Sequence, residues 1–95
     1  MRIDIKKIET ITSVLLAKLI EIKGATIELS HDYYWDIPTD DMYNPYQEPK
    51  HLTLGQLSDD LEELQRLCES SDDAIPYDLG RIASILKALS LSTWY

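Results

Sequence analysis

The chain has 95 residues, 44% hydrophobic and 27% charged, with a net charge of −8. A chain of this size buries only roughly 60 to 65% of its unfolded surface, which predicts a single domain over 1–95 and excludes two separate cores, and the composition is that of an ordinary globular protein rather than a disordered one. Cys68 is the only cysteine, so no internal disulfide can form, and the longest apolar run, Val14 to Ala17, is far too short to span a membrane.

The first element is predicted to be a helix over Asp4 to Lys23. Ile8, Ile11, Leu15, Leu19 and Ile22 follow the three-and-four spacing of one helix face, and Ile5, Leu16 and Ile20 widen it to about half the circumference. Lys6, Thr10, Ser13, Ala17 and Glu21 lie opposite. Gly24 can supply the C-terminal cap, with Lys23 favourably placed in the last turn. An arc this wide suits contact on two sides, either within the chain or with a second copy. The N-terminus mixes charge with isoleucine and does not read as a signal peptide, which points to a cytoplasmic setting.

Residues 25–37 alternate in the manner of a half-buried strand. Ala25, Ile27, Leu29, His31, Tyr33, Trp35 and Ile37 fall on one side, and Thr26, Glu28, Ser30, Asp32, Tyr34 and Asp36 on the other. The first side is expected to be core, with His31 held by hydrogen bonds. The second is expected to face solvent. Pro38 should end the pairing. The partner strand is predicted at Lys50 to Leu54, closing a hairpin across loop 38–49; Arg2 to Ile5, or the same strand in a second subunit, would also serve. The loop carries three prolines, Asp40, Asp41, Tyr43 and Tyr46, and long irregular loops are more often functional than short ones.

A second helix is predicted over Gly55 to Ser70, with Leu54, Leu57, Leu61, Leu64, Leu67 and Cys68 as its buried seam. Thr53 with Gln56 forms a capping box near its start, in competition with Ser58 followed by Asp59 and Asp60. After the polar connector Glu69 to Asp73, Pro76 opens a third helix, Tyr77 to Leu91, whose Leu79, Ile82, Ala83, Ile85, Leu86 and Leu89 are expected to face the core. Trp94 and Tyr95 either fold back as a lid or stay exposed. The fold class is α+β in the order helix, strand, strand, helix, helix, with a two-stranded sheet that a second subunit could complete.

Residues 1–24 sum to +2 and the remainder to −10. An acidic body repels phosphate backbones and anionic membrane surfaces and attracts cationic partners, so neither nucleic acid nor membrane is an expected partner. Metal-ligand spacings, a nucleophile elbow and a phosphate-cradling glycine loop are all missing, so no cofactor and no metal are expected. Cys68 reads as core filler rather than a nucleophile. Tyr34, flanked by Asp32 and Asp36, instead suggests an interface anchor. The leading expectation is therefore a non-enzymatic protein-binding module using Asp32, Tyr34, Asp36, Asp40, Asp41, Tyr43 and Tyr46, such as an immunity or inhibitor protein for a cationic partner. A homodimeric structural protein is one alternative, and a small hydrolase-like enzyme built on Asp32, Asp36 and His51 is another.

The segments Asp32-Tyr-Tyr-Trp-Asp-Ile-Pro38, Leu52-Thr-Leu-Gly-Gln-Leu-Ser-Asp-Asp60 and Tyr77-Asp-Leu-Gly-Arg-Ile-Ala83 resemble those of a family of small uncharacterised bacterial proteins, over about residues 25–90. That resemblance implies a bacterial cytosolic setting. It brings no activity, substrate or catalytic residue.

Overall fold

The N-terminal helix, α1, runs Ile5–Lys23 in the computed structural model, which describes residues 1–92. Asp4 caps it by accepting the Lys7 N–H at 3.2 Å, and the Gly24 N–H closes the other end on the Ile20 carbonyl at 2.8 Å. Gly24 adopts φ +91°, a conformation that side-chain-bearing residues rarely take, as the expected cap requires. The chain divides into two compact units, Met1–Glu28 with Ser92 and Leu29–Leu91. In the first, α1 is the only regular element among the described residues. The question of whether Trp94 and Tyr95 form a lid falls outside the described residues.

The second unit is α+β, as expected. It contains β1 (Tyr33–Asp36), α2 (Thr39–Met42), β2 (Thr53–Gln56), α3 (Leu57–Gln65) and α4 (Tyr77–Leu89), with short 3-10 turns at Arg66–Cys68 and Ser71–Asp73. β1 and β2 pair antiparallel, Tyr33 opposite Gln56 and Asp36 opposite Thr53. The strand is four residues long rather than the thirteen expected over 25–37, and the ladder itself explains why. Extending β1 backwards from Tyr33 would require partners beyond Gln56, but Leu57 already begins α3 after giving its N–H to the Asp32 carbonyl at 2.7 Å. β2 therefore lies at 53–56 rather than 50–54, and α3 starts at Leu57 rather than Gly55.

The hairpin also corrects the expected sense of the two strand faces. Tyr33 and Trp35 are 64% and 67% exposed, whereas Asp32, Tyr34 and Asp36 are half-buried. Gly55 stands opposite Tyr34 in the ladder, and a Cβ there would overlap the Tyr34 ring. The ring thus lies over bare glycine backbone, which draws Tyr34 inward and turns Tyr33 and Trp35 out.

α3 packs against α4. Their junction is built on Asp78, which at 6% exposure is one of two buried residues among those described; the other is Ala88 at 9%. Arg66 grips both Asp78 oxygens at 3.0 and 2.6 Å, Arg81 adds a bond at 2.7 Å and the Ile75 N–H another at 2.9 Å. A two-pronged guanidinium contact of this kind is strong because both planes match. Arg66 also donates to the Glu63 and Asp73 carbonyls, and Arg81 lies 4.6 Å above the Tyr77 ring. Pro76 precedes α4 as expected, and the helix ends at Leu89. Of its predicted core face, Ile85, Leu86 and Leu89 are half-buried, whereas Leu79, Ile82 and Ala83 are exposed. On α3, Leu57 and Leu64 are half-buried and Leu61 is exposed. Cys68, expected in that seam, is exposed. The α-helix stops at Gln65 and tightens into a 3-10 turn, which breaks the spacing that would have kept residue 68 on the seam.

Candidate protein-binding surface

Two of the predicted contact residues are engaged inside the fold. Asp32 caps α3 from outside the helix: its carboxylate accepts the Ser58 N–H at 2.8 Å, the Ser58 hydroxyl at 2.9 Å and the Gln56 amide at 2.9 Å. These three donors hold its pKa below the ordinary 3.8, the Gln56 bond contributing most. Thr53, the expected cap, instead points its hydroxyl at the Asp36 carbonyl, 3.4 Å away. A cap delivered from 26 positions upstream has no short-range signature. Tyr34 donates its hydroxyl to Asp60 of α3 at 2.5 Å, and burial together with that carboxylate pushes its pKa up to about 12. Tyr34 thus pins the hairpin to α3 and is not the solvent-facing anchor expected.

The remaining predicted residues follow β1 in the chain. Asp36 is half-buried at the strand end. Asp40 and Asp41 occupy the first turn of α2, where negative charge is favoured, and Asp41 accepts the Lys50 N–H at 3.3 Å. This bond ties the two ends of the loop together. Tyr43 and Tyr46 are strongly exposed. Ile37, Asp41, Met42 and residues 44–49 line an open depression of about 430 Å³, with Ile37, Met42 and Tyr46 as apolar lining and Asp41 and Glu48 as acids; Tyr43 lies outside it. Asp32 and Asp36 sit at opposite ends of β1, about 13 Å apart at the usual strand rise, and His51 lies near the Asp36 end, so the three do not converge. His31 bonds to Ser30 at 3.1 Å.

Sequence reasoning missed the most conspicuous surface. Trp35 stands directly opposite Leu54, itself 66% exposed, with Tyr33 on the same side of β1. Two aromatics and a leucine on a paired strand, followed by the acidic loop, have the composition of a binding hot spot: large rigid side chains bring much area at little entropic cost. Gly55 was the available signal, since a glycine in a strand marks close approach of a neighbour and so identifies the inward face. No family model, curated protein or solved structure matches the chain. What the geometry defines is therefore a class: a small α+β protein with an exposed aromatic hairpin and an acidic loop. No helix among the described residues is long and apolar enough to cross a membrane.

Proposed function

We propose that the protein is a non-enzymatic acidic module that binds a cationic protein through the outer face of its hairpin and the adjoining loop, in the manner of an inhibitor or immunity protein. The observation that carries this reading is the exposure of Trp35 and Tyr33 on a paired strand in register with Leu54. The charge of the same unit supports the choice of partner. Residues 29–91 hold 13 acids against 4 bases, a net of −9, and Asp36, Asp40, Asp41 and Glu48 all lie within 13 positions of Trp35. The aromatics supply the desolvated centre, and the acids accelerate encounter and orient the partner.

The test compares capture from a bacterial lysate by the wild-type protein and by Tyr33→Ala/Trp35→Ala, followed by affinity measurement on the captured protein. The reading expects a basic partner whose affinity falls at least about 30-fold in the variant, the loss typical of a hot-spot aromatic, while the far-UV circular dichroism is unchanged. Equal capture by the folded variant contradicts it.

A further inference from the structure

We infer that α1 is an interface to a second copy of this chain, the two α1 helices packing antiparallel. This inference is independent of the proposed function. Ile5, Ile8, Thr12, Leu15, Leu19 and Ile22 alternate steps of three and four without a break, the spacing of a two-helix seam. Ile11 and Leu16 flank that seam. Among the described residues no other regular element lies in the unit that contains α1; Ile5, Ile8, Ile11, Leu15 and Leu16 are 38 to 81% exposed, and Thr12, Leu19 and Ile22 are half-buried.

Length and area favour a second copy as the occupant. α1 has 19 residues, about 28 Å at the usual rise, and the seam runs along it from Ile5 to Ile22. Another α1 matches it end to end. Seven large aliphatics at roughly 80 Å² each bring about 1,100 Å² from two helices, just above what a specific interface requires.

Charge fixes the direction. In a parallel pair the flanking residues Asp4 and Lys18 would meet Glu9 and Lys23 of the second copy, acid on acid and base on base. Reversing one helix opposes Ile5 to Ile22, Ile8 to Leu19 and Thr12 to Leu15. It also brings Asp4 and Glu9 toward Lys18 and Lys23 of the other copy. The helix dipoles then run opposite ways as well.

The test uses the full-length chain. Sedimentation equilibrium at tens of micromolar should give twice the 10.9 kDa chain mass, and Leu15→Glu should give the single-chain mass with the second unit still folded by near-UV circular dichroism. In a Cys68→Ser background, Ile5→Cys should cross-link rapidly only when mixed with Ile22→Cys. Asp4→Lys/Glu9→Lys should weaken the dimer roughly tenfold at low salt, and adding Lys18→Glu/Lys23→Glu in the same chain should restore it. A wild-type monomer at these concentrations overturns the inference, and so does dimer formation by Leu15→Glu. Efficient cross-linking of Ile5→Cys alone overturns the antiparallel arrangement.

Discussion

Gly55 and Tyr34 determine which side of the hairpin meets the helices. Gly55→Ala would drive a methyl into the Tyr34 ring, so it should cost about 1 to 3 kcal/mol, the usual range for overpacking, read as a lower urea midpoint. The Tyr34 hydroxyl gives a second handle. Its folded pKa of about 12 lies above the ordinary 10.0, so its contribution to stability is complete below pH 10 and is lost as pH rises through 12. Alkaline titration followed by phenolate absorbance should therefore show one tyrosine ionising late, and Tyr34→Phe should abolish that late step. Alternation made the two faces of 33–36 legible, but not the limits of the strand, and period two is symmetric and cannot say which face is inward. Only the glycine across the ladder decides that, and it becomes informative once the register is known.

Among the elements, α1 with its Gly24 cap, the hairpin and the start of α4 after Pro76 were readable, because each has a local signal: helical spacing, alternation, proline and glycine. The limits of β1 were not, since they depend on where α3 begins, and α3 is capped by Asp32 from a distant part of the chain. Asp32→Ala should lower stability through both α3 and the hairpin, seen as earlier amide exchange in Leu57 to Asp60 than elsewhere in the unit. The Asp78 clamp was equally silent, as nothing in the spacing from Arg66 to Asp78 predicts a contact. Its carboxyl is held well below the ordinary 3.8 by Arg66 first, then by the Ile75 N–H and Arg81. A depressed folded pKa contributes stability that is complete above pH 3.8 and is lost as pH falls below it. Asp78→Asn should therefore destabilise the protein near neutrality and flatten the loss of stability below pH 4, as followed by urea denaturation across pH.

For the whole molecule, the α+β class was legible, whereas the expectation of a well-covered apolar core was not met: among the described residues Ala88 is the only buried hydrophobic. Apolar surface that the chain leaves uncovered is what association can bury, and it includes Ile5, Ile8 and Leu15 of α1 and Tyr33, Trp35 and Leu54 of the hairpin. If the protein binds a cationic partner as proposed, the charge of −9 on residues 29–91 predicts that association slows steeply with added salt while dissociation changes little. The central claim is that Trp35 stands outward in an acidic field. Tryptophan fluorescence quenching in a Trp94→Phe variant tests it most directly, because Trp35 is then the only tryptophan. The account predicts efficient quenching by acrylamide, and by caesium more than by iodide, since anions are repelled. A Trp35 shielded from acrylamide, or one that iodide quenches better than caesium, would contradict it.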